Sequence, residues 1–159
     1  MNFFTNEFLI QAITSFIASS AFAVIFKTNK RHLLQVSFAG LMTYVVYYTA
    51  LYFNSSLFIA ALLSTCVASL FGEICARISH APAIIFIIAG IIPIVPGGDA
   101  YYSIKYLMEG NRALALQKLA STGQVALGIA SGIVFLSILI GIYTDFVSKR
   151  KKQKNKKQP

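Results

Sequence analysis

The sequence predicts an all-α integral membrane protein of about five transmembrane helices, the fourth short and broken at Pro93–Gly98 and followed by a short helix. Three observations lead there. Of 159 residues, 57% are hydrophobic and 12% charged, too little polar surface for a water-soluble domain of ordinary composition. The apolar residues form long runs divided by short polar links, close to the roughly 20 residues a spanning helix needs. The fourth run ends in Pro93-Ile94-Val95-Pro96-Gly97-Gly98, two residues without an amide hydrogen and two without a side chain. A transmembrane domain over 1–148 and a basic tail over 149–159 leave no room for a separate soluble domain.

The first span, 8–26, carries Ser15, Ser19 and Ala23 at four-residue spacing, a small-residue stripe that lets another helix approach closely. Ala21-Phe22-Ala23 resembles a signal cleavage site, but no Lys or Arg precedes the run and Lys27 follows it, the reverse of a signal peptide. The second span, 33–53, sets Tyr44, Tyr48 and Tyr52 on one face with Tyr47 beside them; they belong to an interfacial belt or line a pore. The third, 57–78, ends near Glu73 and Arg77, four residues apart and so on one face. Its Cys66 and Cys75, nine residues apart, point to opposite sides and read as small buried apolar residues; no His, Cys, Asp and Glu set has metal spacing.

The fourth span, 81–96, has sixteen residues, about 24 Å of helix against a hydrocarbon core of roughly 30 Å. Asp99 reads as the N-cap of a helix running to Glu109, with Gly110-Asn111 as its stop. Residues 112–122 are moderately helical, and the fifth span, 124–146, contains Gly128 and Gly132 in a GxxxG pair.

The net charge of +9 is concentrated: seven of fourteen Lys and Arg lie in 149–157, directly after an apolar span. That is a topology anchor facing anionic lipid rather than a nucleic-acid site. With the amino terminus outside, the cytoplasmic side receives eleven basic residues against Lys105, Arg112 and Lys118 outside. The chain is therefore expected in the cell membrane as a multi-pass protein with a cytoplasmic carboxyl terminus.

In hydrocarbon an unpaired backbone group costs several kcal/mol, so irregular backbone persists at depth where protein buries it or a watery cavity receives it. A substrate site is therefore expected at Pro93, Pro96, Gly97, Gly98, Asp99, Tyr101 and Tyr102. Freed carbonyls there suit a cation or ammonium, and a helix restarting beyond the break points its amides at a carboxylate. The alternative is an ordinary surface turn after a short helix. Asp99 is a cap or a substrate or proton contact; Glu73 is a proton carrier or a partner for Arg77, and these three are the coupling candidates. His80 reads as a turn residue and Lys105 as a snorkelling one. Five scattered acids and no Ser-His or Cys-His arrangement provide no catalytic constellation and no cofactor site.

Ala81-Pro82, Phe86, Gly90-Ile91-Ile92-Pro93-Ile94-Val95-Pro96-Gly97-Gly98 and Tyr101 together resemble the signature of the threonine/serine exporter (ThrE-type) family. Phe22–Phe26 with Arg31 and Leu34, then Glu109-Gly110-Asn111, Leu116, Leu119 and the Gly-rich last span, fall in the family's order; Asn111 departs from an expected Asp. The chain is similar to the small, carboxy-terminal membrane half. The resemblance implies proton-driven export of threonine and serine, or of dicarboxylates such as succinate, with a larger membrane subunit as partner. Should that subunit have a similar five-span body, the odd span number of a fused ancestor places the halves in opposite orientations.

Overall fold

The computed structural model describes residues 6–155. The predicted tail over 149–159 falls largely outside: its last four residues are not among them, nor are its side chains. Six helices follow one another: α1 (Asn6–Ile25), α2 (Leu33–Tyr52), α3 (Leu57–Ser79), α4 (Ala83–Ile91), α5 (Gly97–Met108) and α6 (Arg112–Asn155). Three-residue 3-10 turns, Lys30–His32 and Ile92–Ile94, precede α2 and extend α4. Four stretches are long and apolar enough to cross a membrane, and α4 with α5, bent by 50° at the break, makes a fifth where the pair counts as one span and a re-entrant loop where it does not.

The links between spans are tight because polar residues terminate each helix. Lys27, Asn54 and His80 adopt left-handed backbone (φ 54, 57 and 51°), turning the chain after α1, α2 and α3. Asn29 accepts a hydrogen bond from the Arg31 amide, and the Ser56 hydroxyl accepts one from Ile59, capping the start of α3.

Most of the buried positions are small residues and many large apolar ones face outward, with Phe86 the largest fully buried side chain, the arrangement expected where lipid rather than water surrounds the bundle. Ala23, Ala39, Ala60, Ala61, Ala68 and Ala89 are fully buried, whereas Ile10, Ile13, Ile17 and Leu34 project outward. Helix α3 is central, packing against α2, α4 and α6, and α4 also lies on α1 and α2. Glycines sit at four of the crossings, α1–α2, α2–α4, α3–α4 and α3–α6. A methyl group on Gly40 of α2 would meet Ser19 Cβ of α1 at 2.6 Å, so the small stripe of α1 is the α1–α2 contact. Gly72 faces Ile87, Gly90 faces Ala39, and the GxxxG pair of α6 faces the α3 backbone, Gly128 at Phe58 and Gly132 at Leu62 and Thr65.

Two of the α2 tyrosines, Tyr44 and Tyr48, face the start of α1. Both pack with Phe8 of α1, at ring separations of 6.0 and 4.9 Å, and the Tyr44 hydroxyl bonds Gln11 Oε1 at 2.5 Å.

Two boundaries differ from expectation. The short helix begins at Gly97 with Pro96 as its cap residue, so Asp99 is the third residue of its first turn rather than the N-cap. Residues 112–122 and the last span are one continuous helix of 44 residues. Gly123 within it costs about 1 kcal/mol of helix propensity, which contacts along α5 and then α3 readily offset.

Candidate functional site

Packing fixes the depth of the break. Ile87 lies against Gly72, and seven further residues carry α4 and its 3-10 turn about 10 Å on. Ile94, 4% exposed, therefore stops level with Thr65, near the middle of α3, and its turn contacts both α1 and α2. Twelve residues, Ala83–Ile94, provide about 18 Å of the roughly 30 Å required to cross. The chain then bends and continues as α5.

The break satisfies part of its own backbone. Ile92 O, deprived of a partner by Pro96, accepts the Val95 amide at 3.2 Å; Val95 O accepts Gly97 at 2.8 Å, and Pro96 O accepts Ala100 at 3.0 Å. The carbonyls expected to be free for a cation are thus locally closed at these three positions. The amides of Gly98 and Asp99 have no backbone acceptor among the described residues, so the break presents donors and the positive end of α5. Gly97 and Gly98 are exposed, and a Cβ on either meets nothing within 4 Å. Neither has positive φ, so space rather than unusual backbone is what they supply.

Helix α5 folds back on α6 through the turn at Glu109–Asn111, where Gly110 takes φ 79°. This hairpin brings Lys118 Nζ to 2.7 Å from Asp99 Oδ1, with side chains 39% and 32% exposed. Tyr102 and Tyr106 lie near enough to act electrostatically on Lys118, and Tyr47 of α2 on Asp99. The Tyr102 and Tyr106 rings stack at 6.1 Å, Tyr101 meets Tyr102 edge-on at 5.4 Å, and Lys105 Nζ sits 5.9 Å over the Tyr102 ring. Opposite charges, free amides and phenols therefore share one half-open place beside the break.

Glu73 and Arg77 are elsewhere. Glu73 adjoins the Gly72–Ile87 crossing, twelve residues or about 18 Å before Asp99 along the bent span. Their contact is long, 3.9 Å, and with Leu70, Ile74, Leu139 and Tyr143 they line a groove of about 410 Å³ between α3 and α6. Of the three coupling candidates, only Asp99 is at the break.

The sequence profile of the family described as Threonine/Serine exporter, ThrE, matches residues 11–140, all six helices apart from their outer ends. The chain belongs to the threonine/serine exporter family. No curated protein and no solved structure gives a significant match to it.

In this exporter-family chain the residues of the break, Pro93, Pro96, Gly97, Gly98 and Asp99, are gathered with Tyr102, while Tyr101 is 64% exposed at the rim. Sequence reasoning missed Lys118, whose signal was the hairpin: two helices hinged at Gly110 bring residue 99 opposite the second turn of α6. It also missed a buried polar layer. Ser19, Thr65 and Ser69 are at most 2% exposed and their hydroxyls have no partner among the described residues, unlike Ser15, Thr43 and Ser64, which bond the carbonyl four residues back. Thr65 and Ser69 stand at the depth of the broken turn; their four-residue spacing was the available signal.

Proposed function

We propose that this chain is a subunit of a secondary exporter that moves threonine and serine out of the cell, driven by the proton gradient, with a larger membrane subunit as partner. The observation that carries the reading is the span broken at Pro93–Gly98 near the middle of α3, with free amides and an ion pair beside it. Broken helices at such depth bind substrates in secondary transporters through half-helix termini, and backbone irregularity in a bilayer needs a polar destination. Pro93, Pro96, Gly97, Gly98, Asp99, Tyr101 and Tyr102 form the substrate contact. Asp99, or Glu73 with Arg77 from the other end of the span, carries the proton. The protein sits in the cell membrane with its amino terminus outside, and no cofactor takes part. A dicarboxylate is a poorer fit, because Asp99 repels a second carboxylate.

Loading cells with threonine- or serine-containing peptides tests the reading. Efflux is measured with this chain alone, the larger subunit alone and both. Export is expected with both together; identical efflux with and without this chain would leave it a structural subunit. Cysteine labelling from outside tests the inverted arrangement, which fails if the partner's membrane body runs in the same orientation.

A further inference from the structure

We propose that Lys118 is a tethered stand-in for the substrate's ammonium group: it neutralises Asp99 between transport events, and an amino-acid zwitterion displaces it. The incoming ammonium takes Asp99, and the released Lys118 takes the carboxylate. The proposal rests on the reading of the chain as an exporter with its site at the break.

Geometry sets this pair apart. The other two ion pairs among the described residues join side chains four apart on one helix, at 3.9 and 3.8 Å. Asp99 and Lys118 bridge two helices at 2.7 Å. The hairpin does not need the pair for closure. Helix α5 packs along α6 with Ser103 and Ala115 buried between them, and a half-exposed ion pair adds little to stability.

Its position does matter for a ligand. Asp99 occupies the first turn of α5, beside the two amides without acceptors and the open space at Gly97 and Gly98. A zwitterion placed between the two charges converts one ion pair into two. No buried charge is left without a partner, the situation that makes breaking such pairs costly. Lysine suits the exchange. Its point charge on a flexible four-carbon stem can swing away by rotamer change alone, where arginine would hold the carboxylate with two bonds. Tyr102 and Tyr106 lie within electrostatic range of Lys118, and Tyr47 within that of Asp99.

The test uses inside-out membrane vesicles from the host strain lacking its own copy and carrying wild-type or variant chain. Uptake of radiolabelled threonine is measured, with inhibition by threoninol, which lacks the carboxylate, and by 3-hydroxybutyrate, which lacks the ammonium. Lys118→Gln is expected to weaken threonine and 3-hydroxybutyrate by roughly tenfold or more, the cost of losing a hydrogen bond to a charged group. Threoninol should bind more tightly, because Asp99 has lost its tethered competitor. Asp99→Asn should do the converse, weakening threonine and threoninol while strengthening 3-hydroxybutyrate.

A purely structural clip would shift all three compounds alike in both variants, or none of them, and that result overturns the proposal. Wild-type uptake no greater than that of the deletion strain would overturn the exporter reading instead. If either neutral variant fails to accumulate, Lys118→Arg decides. Its two-bond grip on Asp99 should weaken threoninol more than 3-hydroxybutyrate, and equal effects overturn the exchange.

Discussion

The glycines of the bundle and the glycines of the break do opposite work. At Gly40, Gly72, Gly128 and Gly132 a Cβ would collide with a neighbouring helix and at Gly90 it would crowd Ala39 at 3.0 Å, whereas at Gly97 and Gly98 it would meet nothing within 4 Å. In the first set the missing side chain is filled by another helix, and packing is the gain. In the second the space is left open beside a helix terminus. Removing a glycine should therefore damage stability in one region and transport in the other.

The largest effect is expected at Gly40. Gly40→Val would drive its side chain into Ser19, whose Cβ already lies 2.6 Å from the position of a new methyl and whose carbon skeleton is fully buried. Overpacking of this kind costs about 1–3 kcal/mol or more, so the variant should show a clear fall in membrane abundance and in the midpoint of thermal unfolding in detergent. Unchanged abundance would mean that α1 and α2 can separate without penalty and that Gly40 is not a packing glycine.

The next largest effect is expected from Gly97→Leu, on transport and not on stability. The site is open and helical, so the protein should insert, accumulate and melt as the wild type does, while threonine efflux falls to background because the side chain occupies the approach to the α5 amides. Loss of abundance together with efflux would place Gly97 with the packing glycines; normal efflux would remove the break from the transport path.

These two regions were unequally legible in the sequence. Hydropathy revealed the spans because each bundle helix is a run of apolar residues, and the stripe of Ser15 and Ser19 and the Gly128–Gly132 pair announced their crossings by spacing alone. Pro93 and Pro96 likewise forecast the break, since a missing amide hydrogen is a local property. What sequence could not supply was register between helices. The Asp99–Lys118 contact depends on how α5 folds against α6 about Gly110, and the closing of Ile92 O by Val95 depends on the turn geometry the prolines adopt. Continuity of α6 was hidden as well, because Ser121-Thr122-Gly123 looks like a link until α5 and α3 hold both flanks straight.

A smaller effect is expected from Glu73→Gln. The contact with Arg77 is 3.9 Å long and Arg77 is 56% exposed, so its loss should alter stability by less than about 1 kcal/mol. If Glu73 carries the proton, efflux should persist but cease to respond to a collapsed proton gradient. Unchanged coupling assigns Glu73 to the helix end as a structural ion pair and leaves Asp99 as the remaining carboxylate candidate.

The smallest effect is expected at a glycine that belongs to neither set. Gly123 lies about a quarter of the way along α6, where a Cβ would meet nothing within 4 Å, and outside the break. It marks the point where α6 passes from α5 to α3, with Lys118 paired to α5 on one side and Gly128 seated on α3 on the other. As a mere helical position it is suboptimal, and Gly123→Ala should raise stability by about 0.5–1 kcal/mol, read as a small increase in the unfolding midpoint with efflux unchanged. If the α5–α6 hairpin must instead swing against the bundle during transport, the same substitution stiffens its pivot, and efflux should fall while the midpoint still rises. Those opposite signs separate a glycine that is tolerated from one that is used as a hinge.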